Sequence, residues 1–227
     1  MLKNLIKLFF PEVCSGCSKI LFPNETVICI TCRHNLPLTN NLLVTTNEAF
    51  KKFYGRLPVE HVSAMLYYHK KGIVQELIHN LKYRNHQNIG TVLGNWYVDD
   101  LKNYKNLNTI DHVIPVPLHK KRFKKRGYNQ VITFCEAIAN GLEKKLDHTI
   151  LIRNEYSITQ SKKSLNNRNS VSDTTFQTQH SEIHHSKHFL LIDDVLTTGA
   201  TLEACGKAIL KIPGARLSII TIAMSQS

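Results

Sequence analysis

The 227 residues carry 29 Lys and Arg against 17 Asp and Glu, a net charge of +12, and 42% of them are apolar. That length allows one sizeable core and a small appendage, and the apolar fraction fits a soluble globular protein. No run approaches the ~20 apolar residues of a membrane-spanning helix, and the positive excess points to anionic partners, either phosphorylated small molecules or nucleic acid.

In chain order, Leu2, Leu5, Ile6 and Phe9 fit one face of a short helix. Lys7 interrupts this apolar stretch, and Pro11-Glu12 follows without a small-residue cleavage site. The segment is therefore expected to pack on the domain rather than act as a signal, and the protein to be cytoplasmic. Cys14-x-x-Cys17 and Cys29-x-x-Cys32 then stand 11 residues apart. Two such pairs have the spacing of a four-thiolate zinc site, closed and therefore structural. The neighbouring Arg33 and His34 favour thiolates, and His34 itself reads as a solvated loop residue. Two disulfides or a redox pair are the alternatives, disfavoured by a cytoplasmic setting and by the lack of a thioredoxin-like unit. Residues 1–40 hold too few apolar side chains for a core of their own. They read as a zinc-binding module in which a metal worth roughly 10–16 kcal/mol replaces one. Residues 41–60 carry turn formers without a period and read as a linker, leaving 61–227 as the main domain.

Val62–Tyr68 is β-prone. Ile73, Val74, Leu77, Ile78 and Leu81 mark one helix face, which leaves through the basic exit Lys82-Tyr83-Arg84. A second helix is predicted over Ile89–Leu101, with Trp96 buried. Val113-Ile114 close a strand that Pro115-Val116-Pro117 stops. Lys120, Lys121, Arg122, Lys124, Lys125 and Arg126 follow, six positive charges within seven residues. Such a cluster repels itself unless an anion is present. A basic loop between a strand and the helix opened by Val131, Phe134, Cys135 and Ile138 suits a pyrophosphate or a polyanion. Arg126 and Gly127, nearest the helix, are the first candidates, with Arg122 and Lys120 beside them. His148–Arg153 is predicted as the next strand. The polar stretch from Asn154 to Ser170 has no period, as in a lid or a disordered insertion. Within it Gln160, Lys162, Lys163 and Arg168 are candidates to reach over a substrate. His180, His184, His185 and His188 read as solvated loop residues.

The most informative stretch comes last. Phe189–Ile192 is a short apolar run, as in a strand buried on both faces. Asp193-Asp194 follow, then Thr197, Thr198, Gly199, Ala200 and Thr201, and then a helix with Leu202, Cys205, Ala208 and Ile209 at spacings of three and four. Cys135 and Cys205 read as small buried residues. Ile212-Pro213-Gly214 ends the last helix, and Leu217–Ala223 gives a final strand. The turn places backbone N–H groups and hydroxyls at a helix N-terminus, which favours an anion. The carboxylates suit hydroxyls or a bridging cation. A phosphate and a diol one sugar apart describe a ribose 5-phosphate. Because strand side chains alternate, both acids reach one sugar only if the strand ends near Asp193. An ordinary strand-turn-helix with an acidic edge is the bland alternative.

This stretch resembles the phosphoribosyl-pyrophosphate (PRPP) motif of type I phosphoribosyltransferases. The resemblance implies that Asp193 and Asp194 hold the ribose, that residues 197–201 hold the 5-phosphate, and that the 119–127 loop holds pyrophosphate, with magnesium bridging PRPP. It implies a mainly parallel sheet flanked by helices, with right-handed crossovers and sites at the carboxyl ends of the strands. The whole chain is more closely similar to the ComF family. The double Cys-x-x-Cys, Ile114-Pro-Val-Pro-Leu118 with Arg126-Gly-Tyr-Asn-Gln130, and Asp193–Thr201 carry that likeness, and Thr159-Gln160 and Arg168 match its mid-loop pattern. It implies a phosphoribosyltransferase-like domain behind a small zinc-binding module. The expected function is transfer of phosphoribosyl to an unidentified acceptor and a role in DNA uptake beside a helicase-like partner. A PRPP-sensing or single-stranded-DNA-binding module without catalysis is the other expectation. No residue for acceptor recognition stands out.

Overall fold

The structure is a computed structural model that describes residues 11–104, 107–154 and 175–226. The predicted N-terminal helix and the stretch carrying Gln160, Lys162, Lys163 and Arg168 lie outside those residues.

The apolar runs form a five-stranded sheet of β1 (His61–Tyr68), β2 (His112–Pro115), β3 (Lys145–Leu146), β6 (His188–Leu196) and β7 (Arg216–Ser225). The order is β1-β7-β6-β2-β3, and every pairing is parallel. β4 (Leu151–Arg153) and β5 (Phe176–Thr178) make a separate antiparallel pair. Phe189, Leu190, Leu191 and Ile192 of β6 are wholly buried, as a central parallel strand requires. Alternation divides them between two cores. Leu190 and Ile192 face the core shared by α3 (Ile73–Tyr83), α4 (Asn88–Lys102) and α6 (Ile132–Leu142). Phe189 and Leu191 face the core closed by α2 (Glu48–Lys51), α7 (Ala200–Ile209) and the β4–β5 pair. The fold is thus a mainly parallel α/β sheet with helices on both faces. Among the described residues no helix is long and apolar enough to cross a membrane.

The 3.6-residue periods are read correctly: α3, α4 and α6 bury Leu77, Leu81, Ile89, Leu93, Phe134 and Ile138. Trp96 is a correction. In α4 the i, i+4 row Leu93, Tyr97 and Leu101 faces inward, so Trp96 falls to the flank. There it is half-buried, with the Arg33 guanidinium 4.5 Å from its ring centroid. Tyr97 takes the buried place and donates its hydroxyl to Ser63 Oγ at 2.8 Å.

The strand expected from His148 starts only at Leu151, because Asp147 Oδ1 accepts from Thr149 N, Thr149 Oγ1 and Ile150 N and holds a turn there. Two of the four histidines read as solvated are buried. His188 opens β6 and hydrogen-bonds Thr109 Oγ1 and Ser218 Oγ, each at 2.8 Å. His184 Nδ1 accepts from Ser181 N at 3.1 Å. Residues 41–60 hold a 3-10 turn (Asn41–Leu43) and α2. Asn47 orders them, accepting from Phe50 N and donating to the carbonyls of Asn41, Val44 and Val62. Phe53 and Leu57 are buried in the second core.

Candidate functional site

Two constellations stand out. In the first, the Sγ atoms of Cys14, Cys17, Cys29 and Cys32 all lie within 4.8 Å of one another, Cys17 to Cys29 at 3.8 Å. Thiolates about 2.3 Å from a tetrahedral ion stand roughly 3.8 Å apart, so the donor set fits a structural metal ion. Cys14 Sγ accepts from the N–H of Gly16 and Cys29 at 3.3 and 3.2 Å. Cys29 Sγ caps the short helix α1 (Ile30–His34) through Cys32 N. Burial presses the Cys14 thiol upward, but backbone N–H groups of Cys29, Gly16 and Cys17 outweigh it and lower the group to about 7. Burial, then neighbouring sulfurs, raises Cys32. The knuckle is fastened to α3. Asn80 Nδ2 donates to the Ser15 carbonyl at 2.7 Å, and a Cβ on Gly16 would sit 3.0 Å from Ile73 Cγ2.

The second constellation lies at the carboxyl end of β6. The strand does not end near Asp193, as expected: Asp193 stays in register with Thr221, Val195 with Ala223 and Leu196 with Met224. The two carboxyls therefore leave on opposite faces. Both nevertheless line one cavity of about 530 Å³, because walls from both faces meet beyond the sheet edge. Lys82 at the end of α3 and Gln130 before α6 approach from one face, Arg153 and Thr201 from the other. Asp194 is 6% exposed. Its Oδ1 accepts from Lys82 Nζ at 2.8 Å, and its Oδ2 from Gln130 Nε2. Gln130 in turn accepts from Arg126. Burial, and then the Asp194 charge, raises the Asp193 carboxyl to about 7.

The basic segment is a helix, not the expected loop. Lys120–Arg126 wind into α5, capped by His119 and ended by Gly127 in the left-handed region at φ 82°. Helical spacing places Arg122, Lys125 and Arg126 on one face, where all three line the acid cavity. Lys120, Lys121 and Lys124 point elsewhere and are exposed. Cations in the last turn also suit the negative helix end, which offsets part of their mutual repulsion. With Lys82 and Arg153 the cavity holds five cations against two carboxylates. Burial, then Arg122, lowers the Arg153 guanidinium.

Of the residues singled out by sequence, the cavity brings together Asp193, Asp194, Thr201, Arg122 and Arg126. Lys120, Gly127, Thr198, Gly199 and Ala200 do not line it, and Thr197 lines a neighbouring cavity. Gly199 is left-handed at φ 78° and stands immediately before α7, three residues before Leu202. The Thr198 carbonyl accepts from Arg56, which also pairs with Glu203. Sequence reasoning missed Lys82, Gln130 and Arg153. The basic exit of α3 and the Gly-Tyr-Asn-Gln run signalled the first two. Arg153, on a short strand of another sheet, left no signal.

No protein-family model matches the chain. Competence protein F of Haemophilus influenzae is 29% identical over 140 residues, 60% of this chain and 61% of that one. Competence protein ComFC of Bacillus subtilis is 32% identical over 99 residues, 44% of this chain and 38% of that one. The chain is thus similar to two competence proteins. DNA utilization protein YhgH of Escherichia coli K12 is also similar to this chain, 25% identical over 146 residues and 63% of each. The chain thus spans about three fifths of the length of YhgH and of competence protein F. Among solved structures, adenine phosphoribosyltransferase from Leishmania tarentolae covers 84% of this chain and 94% of its own, at 12% identity and a TM-score of 0.41. That overlap is too loose to add to what the strand order itself establishes.

Proposed function

We propose that this protein binds PRPP with magnesium and transfers its phosphoribosyl group to an acceptor, in the service of DNA uptake. One observation carries this reading: five cations surround a carboxylate pair beyond the end of a parallel strand. Nucleic acid alone has no use for the two carboxylates. Asp193 and Asp194 hold the ribose hydroxyls, and the 197–201 turn holds the 5-phosphate on N–H groups at the start of α7. Arg122, Lys125 and Arg126 receive the pyrophosphate as negative charge grows on it, and donors fixed in advance lower that barrier. Magnesium bound to PRPP would neutralise part of the same charge. Lys82 and Gln130 fix Asp194. The four cysteines hold zinc in a structural role.

Calorimetric titration with PRPP and magnesium tests the reading. Binding is expected for the native protein and lost in Asp193→Asn/Asp194→Asn. Affinity unchanged in that double variant would overturn the assignment.

A second reading rests on the exposed side of α5. Lys121 and Lys124 are exposed beside Phe123, itself 50% exposed. Those groups suit single-stranded DNA, through phosphates and base stacking, in a module that senses PRPP beside a helicase-like partner. DNA affinity that stays flat between low and high salt would remove it.

A further inference from the structure

Behind the acid cavity lies a groove of about 430 Å³ that shares with it only Pro117, Leu118 and Tyr128. Pro115 at the end of β2, Phe123 of α5 and Ile132 at the start of α6 close the groove. Two of its polar side chains are spent on the protein itself. Tyr128 donates its hydroxyl to the Leu81 carbonyl at 2.6 Å. Asn129 Nδ2 donates to the Val116 carbonyl at 2.9 Å, and Asn129 Oδ1 accepts from Val131 N at 3.3 Å. The remaining polar side chain, the His148 imidazole, is exposed. Phe123 is half exposed over the groove, an apolar ring that the fold does not bury.

We infer that this groove docks a partner protein through a short acidic segment, which inserts one large apolar side chain between Phe123 and Ile132. The lining selects the anchor. A nucleobase carries donors and acceptors around its edge, and burying them against groups already bonded elsewhere is costly. A Leu, Ile, Met or Phe side chain brings no such groups and gains from leaving water. Charge selects what surrounds the anchor. Exposed Lys120 stands one helical turn before Phe123, and exposed Lys124 follows it. Asp147, beside His148, does not offset them, because it is buried and paired with Lys145 at 3.6 Å. A second copy of this chain, at +12, would be repelled from such a face, whereas an acidic segment is drawn to it. The groove shares Phe123 and Lys124 with the single-stranded-DNA reading above and differs from it in what enters. It holds none of the charged residues of the acid cavity, so the inference stands apart from PRPP binding.

The test pans a random-peptide phage library on the full chain and measures the strongest binder, as a free peptide, by calorimetry. That peptide is expected to carry one Leu, Ile, Met or Phe flanked by Asp or Glu, and to weaken about tenfold or more when the apolar residue becomes Ala. Phe123→Ala removes one wall of the groove, and Ile132→Trp fills it. Each should weaken the peptide about tenfold, with a near-native Tm reporting that the variant is folded. Lys120→Ala/Lys124→Ala should weaken it too and flatten its dependence on salt. No enriched sequence, an enriched sequence without acidic residues, or binding that survives both groove variants would overturn the assignment. Oligothymidylate that displaces the peptide and itself loses affinity in Ile132→Trp would give the groove to single-stranded DNA and overturn it as well.

Discussion

Asp194 is held by two donors from different elements, and its neighbour by none of comparable strength. Lys82→Met leaves Asp194 buried with only Gln130. Removing one partner of a buried ion pair costs about 3–5 kcal/mol, and the remaining amide reduces that here. A loss of roughly 1–3 kcal/mol in urea unfolding is expected, with weakened PRPP binding. Asp193 makes a pH prediction. Its folded-state value is raised to about 7 by burial and then by Asp194, so folding favours its protonated form. The stability it contributes is complete below the ordinary carboxyl value near 4 and is lost as pH rises towards 7. Asp193→Asn should therefore raise the Tm of the ligand-free protein at pH 8 and leave it nearly unchanged at pH 4. Equal gains at both pH values would contradict the assignment. The motif made these two acids legible, but their separate environments were not. Lys82 lies 112 residues from Asp194, and nothing local in the sequence joins them.

At the scale of elements, α5 divides a single basic run into two faces. Arg122→Ala/Arg126→Ala removes cavity-facing charge and should weaken PRPP binding at least tenfold. Lys121→Ala/Lys124→Ala removes outward charge and should leave it within about twofold. Equal effects would mean that the helix acts only through its summed field. The segment read as a loop because its sequence has no apolar period, and charge without apolar spacing does not announce a helix. The opposite held for α3 and α6, whose apolar rows settled both their existence and their inward faces, while α4 was placed but its inward face misread at Trp96. β6 was read as an apolar strand ending at the acids, and it runs on to Leu196 because the ladder to β7 tolerates carboxyls at the sheet edge. β4 was expected from His148, three residues too early, and its partner β5 was not read at all, since three residues carry no pattern and 22 positions separate the two.

Across the whole molecule, three strands begin with buried histidines: His61 in β1, His112 in β2 and His188 in β6. Burial, and then the facing His188, lowers His61 to about 4, and burial lowers the other two. His61 Nε2 has no hydrogen-bond partner, and its ring lies 4.6 Å from that of Tyr104. Its folded value lies below the unfolded one near 6.5, so its contribution is complete above that pH and is lost as pH falls towards 4. A plot of Tm against pH should fall through this interval, and His61→Phe should flatten it. An unchanged slope would place the acid sensitivity elsewhere. The parallel sheet was expected from the resemblance carried by Asp193–Thr201. The histidines escaped because isolated titratable residues look alike whether they end a loop or begin a strand.

One helix meets both constellations. α3 receives the cysteine knuckle at Ile73 and Asn80, and two residues beyond Asn80 it offers Lys82 to Asp194. If the protein binds zinc and PRPP as proposed, α3 couples the two sites, and linkage makes any such coupling reciprocal. Saturation with PRPP should raise the zinc affinity, read by equilibrium competition with a chelator, by the same factor by which zinc loading tightens PRPP. A cell short of zinc would then lose this binding site before it lost the protein.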